Sequence, residues 1–365
     1  MPLQIQFVTF ARPRKLRAVL ESLTQQLAAA RPLSPDEITA AVARLIDEKI
    51  AAETKAEFLA ALAQKGETPA EIAAFAAALR EKSIAPPIDS AWRQSREIHD
   101  VVGTGGDRLS TFNISTTVAI LCAAAGVAVA KHGNRAVTSS VGSADVIESL
   151  GIRVDLTPEE AARSLVENNF AFFFAPNFHP AFKHIGPARK LCAALGQPTI
   201  FNILGPLLNP ARPSAMLVGV SQPDFCQPMA HALQTLGVRR GMVVSGEAEG
   251  KHLDELSPFG ASHVAEFYQE RGFTSSVLMP DHFPLQPARL ADLRGGDKLV
   301  NAGIVLDILL GKERGPKRDA VLLNASAALF VAGAAKSLAE GWDLAAETID
   351  AGRASAKLAQ LVKRS

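Results

Sequence analysis

Residues 100–148 read DVVGTGGDRLSTFNISTTVAILCAAAGVAVAKHGNRAVTSSVGSADVIE, and this stretch decides the fold. The apolar pair at 101–102 predicts a buried strand that runs directly into GTGGD at 103–107, where glycine lets the backbone approach a ligand closely. A second apolar strand is predicted over 127–130, and a loop of small residues follows it. The stretch therefore predicts two loops, each of a size to bind a phosphate group.

Hydroxyl and amide side chains follow the first loop. Thr111, Asn113, Ser115 and Thr116 stand at the start of a predicted helix that runs to Ala125. The unpaired backbone N–H groups and the positive dipole end of a helix favour bound anions at this position. Asn113 or Ser115 could simply cap the helix, but four donors exceed what one cap needs. We therefore expect an anion site here.

The second loop opens with KHGNR at 131–135, which places two permanent cations, an imidazole and an amide directly after a buried strand. The default interpretation is a solvated charged loop. Against it, α/β sheets bind ligands in the loops at the carboxyl ends of parallel strands. The run TSSVGS at 138–143 supplies further donors, and Ser143 is predicted to be the N-cap of a helix over 144–150.

Composition excludes several classes of protein. The 365 residues carry 38 Lys and Arg against 37 Asp and Glu, so no basic field predicts nucleic-acid binding. Three scattered cysteines without CxxC spacing argue against disulfides and a zinc site, and they favour the reducing cytoplasm. The longest apolar run, 118–130, falls below the roughly 20 residues of a membrane span. Residues 1–13 are interpreted as an N-terminal extension rather than a signal peptide.

Hydrophobic periodicity divides the chain. It is helical from about Arg14 to Lys82, with capping boxes and a first-turn proline at 34–37 and 68–71, which predicts a small helical domain. The Pro-rich segment 85–90 reads as a linker. Short β-branched runs then alternate with helices and predict an α/β domain with a mostly parallel central sheet. The candidate strands are 100–102, 127–130, 170–174, 216–220, 242–245 and 263–267, and the tail 301–361 is helical again.

Outside the two loops, few residues suggest chemistry. Asp254 and Glu255 lie in a short polar loop between two candidate strands, and adjacent carboxylates can hold a partly hydrated Mg²⁺. Taken alone the pair is weak evidence, because acidic dipeptides are common on protein surfaces. His179 and His184 lack metal-ligand spacing. The sequence has no GxSxG-type motif, so covalent catalysis is not indicated.

Several longer motifs occur in one order: GTGGD followed by TFNIST, KHGNRAVTSSVGSADVIESLG, FAPNFHPAFKH, TIFNILGPLLNPA, HLDELS and NAGIVLDILLGKERGP. From about Leu16 to the C-terminus they resemble the anthranilate phosphoribosyltransferase family. The resemblance implies a helical domain over 14–84, joined by helices from about 180–198, and a phosphoribosyltransferase-like α/β domain over 88–365. It also implies a homodimer that forms through the helical domain.

The reaction implied by this resemblance transfers the phosphoribosyl group of phosphoribosyl pyrophosphate to the amine of anthranilate. The products are pyrophosphate and N-(5-phosphoribosyl)anthranilate, an intermediate of tryptophan biosynthesis. Members of the family depend on Mg²⁺, and the resemblance implies two ions in each active site.

The resemblance also implies the residues that bind metal and phosphate. Ser115, Asp254 and Glu255 match the metal positions, although residues 247–252 lengthen the loop before the acidic pair. The residues matched to phosphoribosyl pyrophosphate are Gly103, Gly106, Asp107, Thr111, Asn113, Ile114, Ser115, Thr116, Lys131, His132, Gly133, Asn134, Arg135, Ala136, Val137, Thr138, Ser139 and Ser143.

Fewer residues match the side of the site that would hold anthranilate. Gly103, Asn134 and Arg189 correspond to its contacts, and His132 is a candidate to accept the proton of the amine. After Arg189 the family pattern runs through a short LGxRT segment into FN. This chain instead reads KLCAALGQPTIFN, a longer connection in which Pro198 replaces the arginine.

Two other functions are open at this point. A pyrimidine nucleoside phosphorylase has a similar architecture, but the KHGNR and GSADV motifs favour the transferase. The second alternative is a non-catalytic relative that binds nucleic acid. The balanced charge and the presence of Lys131, Asp254 and Glu255 argue against it.

Overall fold

The computed structural model describes residues 12–136, 141–269 and 272–363. Its α-helices, numbered along the chain, are α1 (Arg12–Ala28), α2 (Pro35–Leu45), α3 (Ala52–Lys65), α4 (Pro69–Arg80), α5 (Ser90–Gln94), α6 (Ile114–Ala124), α7 (Ser143–Ser149), α8 (Pro158–Asn168), α9 (Ala175–Phe178), α10 (Gly186–Ala194), α11 (Phe201–Leu204), α12 (Cys226–Thr235), α13 (Lys298–Leu309), α14 (Pro316–Val331), α15 (Leu338–Asp350) and α16 (Arg353–Lys363). The strands are β1 (Ile98–Gly103), β2 (Ala128–Gly133), β3 (Phe170–Phe174), β4 (Ala215–Gly219), β5 (Arg240–Ala248), β6 (Lys251–Leu253), β7 (Ser262–Tyr268) and β8 (Gly272–Leu278).

The chain divides into two units, one formed by Met1–Lys82 with Pro180–Phe201 and the other by Ser83–His179 with Asn202–Ser365. The first unit, as far as it is described, is helical and contains α1–α4 and α10. Both predicted capping boxes are present at its helix starts, where Ser34 and Thr68 accept hydrogen bonds from the backbone of the third helical residue. These local signals fix where α2 and α4 begin.

The second unit contains a sheet with the strand order β3-β2-β1-β4-β5-β7-β8, and β6 pairs with the end of β5. The five strands from β3 to β5 are parallel, whereas β6, β7 and β8 join antiparallel. The prediction of a mostly parallel central sheet is therefore confirmed. The crossover helices between parallel strands cover the faces of such a sheet.

Alternate residues of the parallel strands enter two different cores. Phe170 and Phe172 of β3 belong to a large core that includes residues of α6, α14 and α15. Ala171 and Phe173 of the same strand belong to a smaller core that includes residues of α8. Both faces of the sheet are thus buried, which explains why β3 reads as the continuous apolar run FAFFF.

Three sequence-based expectations differ from the structure. Lys131, His132 and Gly133, expected in the second loop, are the last residues of β2. Ser143 is the first residue of α7 and not its N-cap; Gly142 is the N-cap, because the Asp145 carboxylate accepts a hydrogen bond from the Gly142 N–H at 3.0 Å. The predicted loop at 247–252 is a β-hairpin. Glu249 and Gly250 both have positive φ, at 50° and 79°, which is the backbone of a tight two-residue turn between β5 and β6.

The three cysteines, Cys122, Cys192 and Cys226, are buried and free. Burial raises the pKa of the Cys122 thiol, so this residue is packed core as its apolar helix predicts. None of the helices in the described ranges combines the length and the apolar character that a membrane crossing requires.

Candidate active site

Three parallel strands bring the predicted residues to one edge of the sheet. Since β1, β2 and β4 run in the same direction, the loops after Gly103, Gly133 and Gly219 leave from that edge. Gly219 of β4 is the register partner of Gly103. β5 continues into the hairpin with β6, and Asp254 follows that hairpin directly.

The acidic pair Asp254-Glu255 is held against the ends of β1 and β4. A Cβ atom on Gly219 would lie 1.5 Å from the Asp254 carbonyl oxygen, and one on Gly103 would lie 2.4 Å from Asp254 Oδ2. The Gly105 N–H also donates to Asp254 Oδ2 at 2.5 Å. Glycine is required at both strand ends because the acidic pair occupies the space that a side chain would take.

Three acidic side chains, Asp107, Asp254 and Glu255, lie close together here and outnumber the nearby cation Lys131. Asp254 is 7% exposed, and its carboxyl group lies close enough to that of Asp107 for each to shift the pKa of the other. Burial raises the pKa of Asp254, and the neighbouring charge of Asp107 raises it further. Burial, and after it the charge of Asp254, raises the pKa of Glu255 well above its usual value. A bound cation would relieve this repulsion.

The donor set fits Mg²⁺, which the family resemblance implies. The backbone of Ser115 lies close enough to the Glu255 carboxylate to lower its pKa, so the three predicted metal positions lie together. Across the described ranges, no three His, Cys, Asp or Glu side chains converge tightly enough to hold an ion alone. Mg²⁺ is commonly held by one or two carboxylates, with water and substrate phosphates completing its shell. Asp107 joins the candidate ligands by its contact with Asp254.

Lys131 lies at the centre of this arrangement. Its side chain, 2% exposed, extends from β2, and Nζ donates to the Val101 carbonyl of β1 at 2.5 Å and to Ser115 Oγ at 3.4 Å. Burial lowers the pKa of Lys131, while the charges of Asp100, Glu255 and Asp254 act in the opposite direction. The ammonium group is thus placed beside both the acidic pair and the start of α6.

The start of α6 leaves only some of its backbone donors available, since the Ile114 N–H donates to the Phe112 carbonyl at 2.8 Å. Asn113 occupies the N-cap position, but its side chain makes no capping hydrogen bond. Its Oδ1 instead accepts from Asn301 Nδ2 at 2.9 Å. Ile114 and Thr116 are buried in the second unit, whereas Ser115 is partly exposed. A ligand contact by the backbone N–H of Ile114 would have to compete with the Phe112 carbonyl that this N–H already binds.

The remaining residues of the first loop contact different parts of the second unit. Thr111 forms an isolated bridge with Arg294. A Cβ atom on Gly106 would lie 3.0 Å from Ser221 Oγ, so the loop passes close to the chain after β4. Arg108 has a φ of 56°, which marks a tight backbone path after Asp107.

The second loop satisfies much of its own polarity. The Asn134 carbonyl accepts from the Ala144 N–H at 3.2 Å, and Ser143 Oγ lies 3.5 Å from the same oxygen. Gly133 leaves room for Ser143, because a Cβ atom there would lie 2.1 Å from its Oγ. The Ala136 N–H donates to Asp145 at 3.2 Å. Val137, Thr138 and Ser139, which the resemblance assigns to phosphate, lie outside the described residues.

Arg135 is engaged by two carboxylates. Its guanidinium pairs with Asp145 at 3.0 Å and with Glu148 at 2.9 Å, and it lies over the ring of Phe174 at 5.7 Å. These pairs are exposed, and the two hydrogen bonds to Glu148 raise the pKa of Arg135 further above its usual value. The positive charge of Arg135 is therefore neutralised within the loop and α7.

His132 is buried against a second histidine. The two rings, His132 and His179, pack edge to face with centroids 5.4 Å apart. Burial lowers the pKa of His179 to about 4, so this ring is neutral at physiological pH. His132 follows Lys131 on β2 and is 6% exposed.

Arg189 lies on α10, in the helical unit. Its guanidinium stacks over the Phe201 ring at 5.4 Å, and burial lowers its pKa. Within the described part of the chain it forms no ion pair. The structure thus leaves this partly buried cation without a carboxylate.

Two family models match this chain: the glycosyl transferase family, a/b domain, over residues 95–355, and the glycosyl transferase family, helical bundle domain, over residues 21–83. The anthranilate phosphoribosyltransferase of Petrotoga mobilis is 44% identical over 339 residues, which cover 93% of this chain and 95% of that protein. The chain belongs to the anthranilate phosphoribosyltransferase family. The predicted family and enzyme class are confirmed.

Solved structures of anthranilate phosphoribosyltransferases share the fold. The enzyme of Thermus thermophilus has a TM-score of 0.84 and 40% identity, covering 94% of this chain and 98% of its own. The enzyme of Saccharomyces cerevisiae, in complex with PRPP and Mg, has a TM-score of 0.83 and 28% identity, covering 95% and 98%. The yeast enzyme is also known in complex with 4-fluoroanthranilate.

Sequence reasoning missed two residues beside this candidate site. Gly219 and Asn209 were not singled out, although Asn209 lies within the quoted motif TIFNILGPLLNPA. Asn209 donates to the buried carboxylate of Asp100 and to the Ala130 carbonyl. The sequence offers one weak signal for each residue. Asn209 forms an Asn-Pro dipeptide within its motif, and Gly219 lies near the end of the candidate strand 216–220.

Proposed function

We propose that this chain catalyses the transfer of the phosphoribosyl group from phosphoribosyl pyrophosphate to the amine of anthranilate, as a step of tryptophan biosynthesis. One observation carries the proposal. The acidic pair is locked against Gly103 and Gly219, beside buried Lys131, in a chain of the anthranilate phosphoribosyltransferase family. Acidic groups, an ammonium and a helix N-terminus together match a magnesium-bound pyrophosphate.

The proposed mechanism uses no protein nucleophile. Lys131 and the backbone donors at the start of α6 bind the pyrophosphate, whose negative charge increases as its bond to the ribose C1 breaks. Ser115, Asp254 and Glu255 would hold Mg²⁺, with Asp107 beside them; bound Mg²⁺ neutralises the charge of the leaving pyrophosphate. The protein's own part is to bind and orient the two substrates so that the amine faces C1.

For the aromatic substrate, we propose that Arg189 binds the carboxylate of anthranilate and that Asn134 and Gly103, which match the family's anthranilate contacts, also bind this substrate. An unpaired guanidinium that burial has already partly desolvated gains strongly from a planar carboxylate. His132 is the candidate to accept the amine proton. Pro198 and the longer connection after Arg189 are where we expect acceptor preference to differ from other members of the family.

Three finer points complete the proposal. Each active site takes two Mg²⁺ ions, the protein works in the cytoplasm, and it forms a homodimer through its helical unit. Leu195 at the end of α10 is 85% exposed and Leu191 is also exposed, which supports an interface on that unit. Sedimentation of the purified protein tests the dimer, and a calorimetric Mg²⁺ titration with phosphoribosyl pyrophosphate present counts the ions.

The test of function is an anthranilate fluorescence assay. With phosphoribosyl pyrophosphate and Mg²⁺, the fluorescence of anthranilate should decrease as product forms, and chelation of Mg²⁺ should stop the decrease. Phosphorolysis of thymidine is measured in parallel. Turnover of thymidine without turnover of anthranilate would replace this proposal with the nucleoside phosphorylase alternative.

The role of Arg189 is tested with an adjacent control. Arg189→Ala should raise the KM for anthranilate by at least about tenfold, the value of one charge-assisted hydrogen bond, and change the KM for phosphoribosyl pyrophosphate much less. Lys190→Ala removes an exposed cation next to it and should leave both constants unchanged. Equal effects of Arg189→Ala on the two substrates would contradict the assignment.

A further inference from the structure

The boundary between the neighbouring strands β1 and β2, here called the β1–β2 seam, loses its ladder pairing before either strand ends. The two strands pair only at Ile98↔Ala128 and His99↔Val129. On their other sides, β1 pairs with β4 as far as Gly103, and β2 pairs with β3 as far as Gly133. The gap therefore affects one seam of the sheet, directly below the two loops of the proposed active site.

One buried side chain fills the start of this gap. Asn209 is 0% exposed, and its Nδ2 donates to Asp100 Oδ2 on β1 at 2.8 Å and to the Ala130 carbonyl on β2 at 2.7 Å. Its Oδ1 accepts from the Ala211 N–H at 2.9 Å, which fixes the orientation of the amide. Asp100 and Ala130 are the residues that follow the last ladder pairs, so the Asn209 amide replaces the missing ladder contact.

Lys131 crosses the same gap one residue further on. Its Nζ donates to the Val101 carbonyl of β1, which lies beyond the last β1–β2 ladder pair, and reaches Ser115 Oγ. The direction of the Lys131 side chain depends on the preceding peptide, whose carbonyl Asn209 holds. If β1 and β2 formed a regular ladder at this point, the Val101 carbonyl would accept from a backbone N–H of β2 and not from Lys131 Nζ.

We propose that Asn209, acting with Asp100, is a positioning residue for Lys131. It keeps the β1–β2 seam open at a fixed width, so that the ammonium group lies between the Val101 carbonyl and Ser115, where pyrophosphate would bind. Neither Asn209 nor Asp100 touches the substrate in this arrangement. The inference rests on the proposed function, because it assigns Lys131 to the pyrophosphate of that reaction.

The experiment compares two variants with a matched control. Asn209→Asp keeps the shape and the acceptor for Ala211 but loses the donors, and Asn209→Ala loses both. Each should raise the KM for phosphoribosyl pyrophosphate and the calorimetric Kd for inorganic pyrophosphate by at least about tenfold, because Lys131 is displaced. The KM for anthranilate should change less than about twofold. Asn209→Asp carries the test if Asn209→Ala does not fold.

The control is Asn168→Ala. Asn168 is also a buried asparagine of the second unit, and its side chain hydrogen-bonds Ser164 of α8 and Gln360 of α16. Its loss should lower the Tm without changing either KM. A purely structural role for Asn209 would produce this same pattern in the Asn209 variants and would overturn the inference.

A double-mutant cycle shows whether Asn209 acts through Lys131. In a Lys131→Ala background, Asn209→Asp should add less than about twofold to the Kd of pyrophosphate, since the positioned group is already absent. Full additivity of the two changes would overturn the inference. Wild-type protein that binds pyrophosphate but forms no product from anthranilate would refute the proposed function alone, and the binding cycle would still test the role of Asn209.

Discussion

The loops that follow β1 and β2 carry their charges in opposite ways. The first loop brings Asp107 against Asp254, and both carboxyl groups are held with raised pKa values by burial. The second loop contains Arg135, whose charge is matched by Asp145 and Glu148 on the surface. The buried carboxyl groups of the first loop have no cation of that loop beside them, whereas the cation of the second loop is paired with carboxylates of α7.

This difference assigns separate roles to two loops that look alike in the sequence. Both follow a buried strand, contain glycine and end at a helix. We propose that the first, with the acidic pair, is where metal binds, because its buried carboxyl groups outnumber the nearby ammonium group of Lys131. The second loop pairs its own cation. The positive charge that faces the acidic pair comes from a strand, through Lys131, and not from Arg135.

The largest expected effect comes from filling the space of the acidic pair. Gly219→Ala places a Cβ atom where the Asp254 carbonyl lies, so the pair must move. We expect the free energy of unfolding to fall by about 3 kcal/mol, and kcat/KM to fall by at least about 100-fold. Urea unfolding and the fluorescence assay measure the two effects.

Gly303→Ala is the control for that substitution. Gly303 lies within α13, where a Cβ atom would meet nothing within 4 Å. Because the added methyl group meets nothing, activity should be unchanged. The higher helix propensity of alanine should raise the free energy of unfolding by about 0.5–1 kcal/mol. Native activity in Gly219→Ala would mean that the acidic pair need not occupy its observed position.

The next largest effect is expected from removing the charges of the acidic pair, which lies against the first loop. Asp254→Asn combined with Glu255→Gln should lower turnover by about 100-fold or more, as expected for loss of charge stabilisation in the transition state. The fold should persist, because the amides are of similar size and the buried charges are costly. Circular dichroism and turnover at limiting Mg²⁺ provide the measurement.

Asp281→Asn removes an exposed carboxylate and should leave turnover unchanged. If the double variant kept wild-type kinetics at limiting Mg²⁺, the acidic pair would have no part in metal binding. The contrast between the two loops would then concern stability alone.

The sequence predicted the parts of this comparison that depend on neighbours along the chain. The capping boxes at Ser34 and Thr68 need only the next three residues, and both are present. β3 was predicted with its observed bounds because both of its faces are buried. The position of a loop on a parallel sheet also follows from strand order alone.

Features that depend on distant residues could not be predicted in the same way. Asn209 contacts residues 109 and 79 positions away, and nothing in its own neighbourhood indicates them. β8 was missed because its residues are mostly exposed and lack alternation. The hairpin at Glu249 and Gly250 lacks the usual Asn-Gly signal for its turn. Gly219 has a role only because Asp254 approaches it in the fold.

A smaller effect is expected from His99, which is buried in β1, the strand that leads into the first loop. It concerns the pH dependence of stability. Burial, and after it the charge of Arg240, lowers the pKa of His99 on β1 from 6.5 to about 3. The folded protein therefore holds His99 neutral while the unfolded chain protonates it. The resulting stability is complete above pH 6.5 and is lost as the pH falls toward 3.

The free energy of unfolding should thus decrease over that acidic window, and His99→Gln should make the decrease shallower. His282→Gln, at an exposed position, should leave the pH dependence as it is in the wild type. Parallel curves for wild type and His99→Gln would show that His99 is already protonated in the folded state. Urea unfolding at a series of pH values measures all three proteins.

The smallest effect is expected at Arg135, whose side chain is 47% exposed. Arg135→Gln should lower the free energy of unfolding by less than about 1 kcal/mol, because exposed ion pairs gain little in water. Raised salt should weaken the same pairs in the wild type. If the guanidinium is fully used by Asp145 and Glu148, the KM for phosphoribosyl pyrophosphate should change by less than about threefold. A rise of tenfold or more would mean that Arg135 leaves both carboxylates to bind phosphate, and that the second loop, like the first, is completed only by its ligand.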